Sequence, residues 1–398
     1  MSLVFVLLGI ALVVERLAKH ALVVRFFARP PRPDTSTAKR ISVLQPVVGG
    51  DPHLESVLER SLRARSRFER ETLWLLDEDD ARAIELCRGI AARHPELRIE
   101  LLVLPPPPER ASPKMWKLLA GAERATGDVL CVLDDDTALT DGAFERVLPY
   151  LDDPGVGLAF GLPYYESFDN LWSSLVACFV NRNSLTTYVP HTFFVEPFTI
   201  NGMFYVLKRS TYDAIGGFAG LEAWATDDFA VAQHVRKHGW ELAQTELCHP
   251  IRTHVRSAAQ YGRLLQRWFV FPRETLYRGL RARELAVVYL FAFAPAVGPL
   301  VFLAGALAAP SVALAWVFAA YVLHDLVLVA HLNATRLARA TPVRWFPLVI
   351  AADLLLPFQV LFALVAPQRV NWRGNVMRIH RGGTFEYLRR ADHREGAA

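Results

Sequence analysis

Between residues 41 and 133 the chain alternates short, almost continuous apolar runs with amphipathic segments. Short apolar runs predict buried strands, whereas apolar residues three and four positions apart predict helices. The predicted strands are ISVLQPVV, TLWLLDEDD, RIELLVLPPPP and DVLCVL, and the predicted helices between them are LESVLERSLRAR, ARAIELCRGIAARHP and KMWKLLAGAERA. This alternation predicts an α/β fold with a mostly parallel sheet that is covered on both faces.

Longer apolar stretches lie at both ends of the chain. Residues 3–14 form the first one, and the charged residues that follow predict a helix whose side chains reach the membrane surface. Three more stretches lie at about residues 284–309, 311–332 and 346–366, and each is long enough to cross a bilayer core of about 30 Å. The pattern therefore predicts an integral, multi-pass membrane protein.

Loop arginines and helix-disturbing residues indicate how the C-terminal stretches are arranged in the membrane. Three arginines between the second and third stretches predict a cytoplasmic loop, namely Arg336, Arg339 and Arg344. Residues that disturb an apolar helix interrupt the first and third stretches, namely Pro295, Pro299, Asp353 and Pro357. We therefore expect one of these stretches to be re-entrant or to lie in the membrane interface.

Composition adds to this picture without changing it. Hydrophobic residues make up 52% of the 398 residues, and the formal net charge is +4. No basic stripe is interleaved with aromatic residues, which argues against a nucleic-acid partner. The four cysteines are far apart and form no CxxC pair, so free thiols in a reducing compartment are expected.

Two acidic clusters follow predicted strands directly, at Asp77–Asp80 and Asp134–Asp136. In parallel sheets ligands bind at the carboxyl ends of the strands, where both clusters are expected. One interpretation is a solvated turn with an acidic helix cap. The other is a site for Mg²⁺ or Mn²⁺, in which Asp134 and Asp136 approach one ion while Asp135 faces away.

Further motifs follow along the chain, including VLQPVVGGDPHLESVLE, LLDEDDARAIELCRGI, PKMWKLLAG, FGLPY, TDDFAVAQHVRKHGW, GRLLQRWFVF and WRGNVMRIHRGGTFEYL. In order and spacing they resemble the ceramide glucosyltransferase family, a group of lipid-directed inverting glycosyltransferases. The resemblance covers nearly the whole chain. It implies a GT-A catalytic domain, that is, a Rossmann-like mostly parallel sheet, with transmembrane helices at the N- and C-terminal ends.

The resemblance implies roles for residues of the first motifs. Asp77 would contact the uracil or ribose of UDP, with Asp79 as a second candidate. Gln45 and Pro46 would belong to the nucleotide loop, Asp134 would contact the ribose or metal, and Asp136 would bind the metal. Lys114 lies where the family often has a basic residue near the nucleotide, although an exposed lysine at a helix start explains it equally well.

The later motifs would supply the catalytic groups. Asp228 would be the base that activates the acceptor hydroxyl, beside the acidic neighbour Asp227, although Asp is also favourable at a helix N-terminus. Arg267 would neutralise the leaving diphosphate and Trp268 would form a wall for the sugar or acceptor, in a segment that also fits an interfacial helix. The spacing here is RxxxRW, not the (Q/R)xxRW of the family, because Leu264 stands three residues before Arg267.

These observations together predict the division of the chain. The parts are an N-terminal transmembrane helix (1–28), a linker (29–40), a cytosolic GT-A catalytic domain (41–255), interfacial amphipathic helices (256–283), transmembrane or re-entrant helices (284–366) and a basic C-terminal tail (367–398). The tail arginines Arg373, Arg378 and Arg381 resemble a stretch that returns to the active site, but they also fit a membrane-flanking tail.

The implied function is transfer of glucose from UDP-glucose to the primary hydroxyl of ceramide, on the cytosolic face of a bacterial inner membrane or of the Golgi. A ceramide-like lipid keeps its tails in the bilayer, which explains an apolar platform beside the base. Transfer to a hopanoid or diacylglycerol remains an alternative, and so does a polysaccharide synthase with a channel. The sequence leaves homo-oligomerisation open.

Overall fold

The computed structural model describes residues 1–372 and 374–390, except for the side chains of 276–278. Its strands are β1 (Arg40–Pro46), β2 (Glu69–Asp77), β3 (Arg98–Leu104), β4 (Val129–Leu133), β5 (Val156–Tyr165), β6 (Phe204–Lys208), β7 (Glu241–Ile251), β8 (Arg369–Trp372), β9 (Asn375–Ile379) and β10 (Phe385–Arg389).

Helices occupy most of the remaining chain. They are α1 (Ser2–Phe27), α2 (Leu54–Arg63), α3 (Ala81–Arg93), α4 (Pro113–Arg124), α5 (Ala143–Val147), α6 (Leu171–His191), α7 (Arg209–Ala214), α8 (Asp227–Lys237), α9 (Ala258–Gly279), α10 (Ala282–Val288), α11 (Ala294–Val297), α12 (Leu300–Ala308), α13 (Val312–Thr335) and α14 (Phe346–Val365). A π-helical turn, Tyr289–Phe293, joins α10 to α11.

Seven strands form the central sheet in the order β3-β2-β1-β4-β6-β5-β7. The first four strands along the chain are parallel, and so are β5 and β7, whereas β6 runs antiparallel to both β4 and β5. The α/β, mostly parallel sheet expected from the sequence is confirmed. The reversal at β6 was not predicted.

Apolar side chains on both faces of the sheet explain its nearly continuous hydrophobic strands. On one face Leu44 and Leu130 pack with Met115 and Leu118 of α4, and on the other Val43 and Cys131 lie in the core to which α5 contributes. Burial on both faces is the usual arrangement of a parallel sheet. All four cysteines carry free thiols, as expected.

The N-terminal helix α1 and the C-terminal helices α10–α14 form an apolar bundle. Two segments, Val312–Thr335 and Val343–Val365, are long and apolar enough to cross a membrane. The segments Ala282–Val297 and Leu300–Ala308 would supply a third span if they act together, although a bend of 46° separates them. The first helix carries Glu15, Arg16 and Lys19, so its role as a span stays a prediction.

Helix α14 and the residues just before it hydrogen-bond to two helices beside the cleft, α6 and α9. Near its start, Thr341 Oγ1 accepts a hydrogen bond from Asn181 Nδ2 of α6 at 2.9 Å. Near its end, Arg273 Nη1 of α9 donates to the carbonyls of Ala363 and Ala366 at 2.5 and 2.9 Å. By contrast, Gly305 of α12 lies against Phe5, close to the N-terminus of the chain.

The C-terminal tail folds back onto the catalytic part as the antiparallel sheet β8–β10. Ala225 N–H donates to the Gly383 carbonyl at 2.8 Å, and the Tyr387 hydroxyl donates to the Ala111 carbonyl at 3.1 Å. The tail is therefore a folded element and not simply a membrane-flanking segment. Arg378 pairs with Glu386 at 2.8 Å, Arg381 is exposed, and Arg373 lies outside the described residues.

Candidate active site

A cleft of about 570 Å³ opens where β1, β2 and β4 end. Parallel strands that stop at one edge leave their following loops beside each other, which is why ligands bind there. Nine of the predicted residues line this cleft, namely Pro46, Asp77, Lys114, Asp134, Asp136, Asp227, Asp228, Arg267 and Trp268. Residues separated by more than 200 positions along the chain therefore share one cavity.

Two predicted nucleotide-binding residues lie outside the cleft lining. Gln45 is buried behind it, where Nε2 donates to the Asp134 carbonyl at 3.1 Å and Oε1 accepts from Trp74 Nε1 at 3.0 Å. Gln45 thus holds the backbone of Asp134 in position. Asp79 is half-buried on the turn after β2, and its contact with nucleotide stays a prediction.

The two acidic clusters differ in how they serve the fold. Asp80 caps α3 by accepting from Ala83 N–H at 2.9 Å. The helix-cap interpretation of Asp134–Asp136 is wrong, since the next helix begins only at Ala143 after Gly142. Asp135 also lines the cleft, and its Oδ2 accepts from Val48 N–H at 2.9 Å, which fixes the loop after β1.

Lys114 lies between carboxylates that come from different loops. Its Nζ is 2.7 Å from Asp134 Oδ1, 2.7 Å from Asp227 Oδ2 and 3.1 Å from the Gly202 carbonyl. Only 13% of the side chain is exposed, so the alternative of an exposed lysine at a helix start is wrong. Although burial opposes its charge, Asp134 and Asp227 raise the pKa of Lys114 well above its usual value.

Asp228 has the environment that a base at neutral pH requires. It lies in the first turn of α8, so the helix N-terminus and the cleft share this residue. Burial, and then the charge of Asp227, raise the pKa of Asp228 to about 7. A carboxylate with such a pKa can accept a proton near neutrality.

Gly202 makes the close approach of α8 possible. A Cβ at this position would lie 3.1 Å from the Asp228 Cβ and 3.3 Å from Asp227 Oδ2. Such a contact is tighter than ordinary van der Waals packing, so the loop before β6 would have to move. The absence of a side chain at Gly202 therefore allows Lys114 and the two aspartates to meet.

A second lysine of α4 was missed by the sequence analysis. Lys117 Nζ lies 2.7 Å from Asp77 Oδ2, and both residues are buried. Residues three apart on a helix face the same side, so the PKMWK motif directs both lysines at the strand ends. This three-residue spacing of the two lysines could have indicated Lys117 from the sequence.

Helix α9 forms the wall of the cleft opposite the strand ends. Arg263 and Arg267 lie one helical turn apart and both line the cavity, so the RxxxRW spacing supplies two guanidinium groups. The Trp268 ring stacks against Phe179 with centroids 6.1 Å apart. Arg267 also lies over the ring of Trp372, at 5.3 Å, which the returning tail provides and the sequence analysis missed.

The donor set of the cleft suits a hard divalent cation. Six carboxylates line the cavity, from Asp77, Asp134, Asp135, Asp136, Asp227 and Asp228, against the four cationic side chains of Lys114, Lys117, Arg263 and Arg267. Mg²⁺ and Mn²⁺ prefer such oxygen ligands, commonly one or two carboxylates together with substrate phosphates. Asp134 and Asp136 would hold the ion.

Comparison with known proteins places the chain in a family. Residues 2–385 match the family described as glycosyl transferase family 21. This chain belongs to glycosyl transferase family 21. Among relatives of this glycosyltransferase is ceramide glucosyltransferase 1 of Caenorhabditis elegans, which is 22% identical over 209 residues. That match covers 52% of this chain and 44% of the worm protein, less than half of its length.

A solved structure supports the GT-A fold of this family 21 member. The mannosyltransferase PcManGT of Pyrobaculum calidifontis, in complex with GDP-Man and Mn²⁺, superposes with a TM-score of 0.52 and 17% sequence identity. The superposition covers 88% of this chain and 98% of the mannosyltransferase. At this identity the likeness concerns the fold.

Proposed function

We propose that this family 21 glycosyltransferase moves glucose from UDP-glucose to the primary hydroxyl of ceramide, with inversion at the anomeric carbon. The main support for this proposal is that helix α9 contacts both the acidic cleft and the apolar helix α14. One face of this helix lines the acidic cleft through Arg267 and Trp268, while Tyr261 and Arg273 bond to α14, an apolar segment long enough to span a bilayer. A lipid hydroxyl at headgroup level could therefore reach the base.

The similarity to a ceramide glucosyltransferase supports a sphingolipid acceptor, and the GDP-Man and Mn²⁺ of the mannosyltransferase structure support a nucleotide-sugar donor and a divalent metal. Bound at Asp134 and Asp136, Mg²⁺ or Mn²⁺ would neutralise charge on the diphosphate. The chain's own cations add to this effect, because Arg263 and Arg267 face the same cavity.

In the proposed reaction Asp228 accepts the proton of the lipid hydroxyl. The hydroxyl oxygen then bonds to the anomeric carbon from the face opposite UDP, and the bond between that carbon and the diphosphate oxygen breaks with its electron pair leaving on UDP. Asp77, held by Lys117, would face the nucleoside, and Trp268 would exclude water from the sugar.

We propose a cytosolic position for the cleft, since nucleotide sugars are made in the cytosol. Thr341, just before α14, accepts a hydrogen bond from α6, and Arg273 of the cleft-lining helix α9 donates to carbonyls at the end of α14. These contacts support an interfacial or re-entrant α14. The segment α10–α12 would cross outward and α13 would return, so the tail with β8–β10 would remain on the cytosolic side. The three arginines near the α13–α14 loop agree with that orientation.

The decisive test offers the purified protein a panel of UDP-sugars, GDP-mannose and several lipids, and identifies the products by mass spectrometry and anomeric NMR. We expect β-glucosylceramide from UDP-glucose and ceramide in the presence of Mn²⁺ or Mg²⁺. Product only with a hopanoid or diacylglycerol would overturn the acceptor, a retained anomeric configuration would overturn the mechanism, and a ladder of longer glycans would indicate a polysaccharide synthase.

A further inference from the structure

Outside the cleft, three potential metal ligands meet where three loops converge. His53 lies between β1 and α2, Asp169 lies between β5 and α6, and His254 lies between β7 and α9. Their ligand atoms, two imidazole nitrogens and a carboxylate oxygen, all lie within 4.8 Å of one another. We propose that His53, Asp169 and His254 form a binding site for Zn²⁺ that is separate from the acidic cleft.

One carboxylate oxygen of Asp169 faces both imidazole rings. Its Oδ2 is 2.5 Å from His53 Nε2 and 3.7 Å from His254 Nδ1. Zinc ligands lie about 2.0–2.2 Å from the ion and at tetrahedral angles, so neighbouring ligand atoms stand roughly 3.4 Å apart. Small rotations of these side chains are therefore enough to surround one ion.

The His254 ring has an atom that needs a partner. Its Nδ1 is buried and accepts or donates no hydrogen bond among the described residues, although Asp169 is near. A buried polar atom without a partner is costly, and a bound cation is one way of satisfying it. The carboxylate of Asp169 is 35% exposed, so a water molecule can reach the fourth coordination position from that side.

The backbone of the two histidines is held independently of any ion. Asp51 Oδ1 accepts from His53 N–H at 2.8 Å, and Asp51 Oδ2 accepts from His254 N–H at 2.8 Å. Arg256 Nη2 adds a bond to the Gly50 carbonyl at 2.9 Å. The loops therefore present both rings in a fixed arrangement, which lowers the entropy lost when an ion binds.

The choice of zinc follows from the ligand types. Imidazole nitrogen suits Zn²⁺ and related transition metals, whereas Mg²⁺ and Mn²⁺ prefer the carboxylates of the cleft. Val48, Thr253 and Val255, close in sequence to the two histidines, line the cleft. An ion at this position would thus link the loops that carry two walls of the cleft.

The test measures zinc binding directly and does not depend on transfer activity. The full-length protein in detergent is stripped with chelator and reloaded with Zn²⁺, and its metal content is determined by mass spectrometry. We expect one equivalent of tightly bound zinc, a zinc-dependent rise in melting temperature, and visible absorption typical of tetrahedral Co²⁺ when cobalt replaces zinc.

Variants then locate the site. His53→Ala, Asp169→Asn and His254→Ala are each expected to weaken zinc binding by at least about tenfold. His94→Ala is the matched control, because His94 forms a comparable pair with Glu59 at 3.1 Å but, among the described residues, belongs to no cluster of potential metal ligands. Asp136→Ala, which alters the cleft, should also leave zinc binding unchanged.

Three outcomes would overturn the proposal. They are wild-type protein that holds no zinc after reloading, variants of His53 and His254 that bind zinc as tightly as wild type, and loss of the zinc in Asp136→Ala. If a ligand variant fails to fold, the cobalt spectrum of the wild-type protein decides, since six-coordinate oxygen ligation gives much weaker absorption than tetrahedral ligation by imidazoles.

Discussion

Two groups of buried charged side chains differ in their net charge. The first, the cleft cluster, consists of Lys114, Asp134, Asp227 and Asp228. The second group, here the bundle cluster, consists of Arg16, Arg182, Asp325 and Asp353, which come from α1, α6, α13 and α14. One cluster has three carboxylates for one ammonium group, whereas the other pairs two guanidinium groups with two carboxylates.

The side chains of the bundle cluster are buried and pair with one another. Arg182 Nη2 lies 2.8 Å from Asp325 Oδ2 and 2.8 Å from Asp353 Oδ1, and Arg16 Nη2 lies 3.2 Å from Asp353 Oδ1. Tyr321 donates to Asp353 Oδ2 at 2.6 Å. Each charge thus has an opposite charge inside the cluster, which connects α6, packed beside the sheet, to the apolar helices α1, α13 and α14.

The cleft cluster keeps an excess of negative charge, and its carboxylates border a cavity that reaches solvent. A buried group of like charges is costly and is retained mostly where function requires it. Burial of charged groups alone therefore does not distinguish a candidate functional site from a structural cluster. Excess negative charge beside a cavity is what separates the cleft cluster from the bundle cluster.

The largest expected effect concerns the base. Asp228→Asn removes proton acceptance, so kcat for glycosyl transfer should fall by about two to four orders of magnitude. Since the buried Asp228 charge is unfavourable at pH 8, the melting temperature there should not fall. Radiolabelled transfer and differential scanning fluorimetry measure the two quantities. Retained turnover would exclude Asp228 as the base.

The bundle cluster should respond in the opposite way. Arg182→Ala leaves Asp325 and Asp353 short of a cation, and the free energy of unfolding should fall by about 3–5 kcal/mol. Thermal unfolding in detergent measures the loss.

Two controls accompany this variant. Arg60→Ala removes a half-exposed partner of Glu166 and should change stability by less than about 1 kcal/mol. The double variant Arg182→Met with Asp325→Leu removes one charge of each sign and should be more stable than Arg182→Ala. An Arg182→Ala protein as stable as wild type would show that the pairing contributes nothing.

Lys114→Met removes the one ammonium group of the cleft cluster. Without the ammonium group, Asp134 and Asp227 repel each other, so the metal-free protein should melt at a lower temperature. Mn²⁺ should raise the melting temperature more in this variant than in wild type, because the cleft has become more negative. Lys208→Met, at a half-exposed pair with Asp152, is the control. An equal response of the melting temperature to Mn²⁺ in Lys114→Met and wild type would show that Lys114 does not offset the charge of the cleft carboxylates.

The smallest expected effect concerns how stability and kcat/KM depend on pH as Asp228 titrates. The folded pKa of Asp228, about 7, exceeds its ordinary value of 3.8 because of burial and the charge of Asp227. Its contribution to stability is therefore full below about pH 4 and is lost as the pH rises through 7. Activity needs the ionised form, so kcat/KM should rise over the upper part of this range.

Asp227→Asn tests the second cause of that shift. Removal of the neighbouring negative charge lowers the pKa of Asp228, so the acid limb of the kcat/KM profile should move to lower pH. Profiles of wild type and variant at the same metal concentration measure the displacement. An acid limb that does not move, or that moves to higher pH, would show that Asp227 does not control this titration.

The amino-acid sequence was enough to predict the first four strands of the sheet and the edge at which the candidate site lies. Periodicity identified β1–β4 and the intervening helices, because local apolar patterns select strand or helix. Acidic residues after β2 and β4 indicated the ligand edge, since parallel strands must end together.

Which charges meet could be seen only in the folded chain. Lys114 contacts Asp134 and Asp227, and Arg182 contacts Asp325, over separations that no local pattern encodes. The return of the tail to the cleft, with Trp372 beside Arg267, was likewise open in the sequence. The physical reason is that strand and helix preferences act over a few residues, whereas charge pairing and packing depend on distances that only the folded chain fixes.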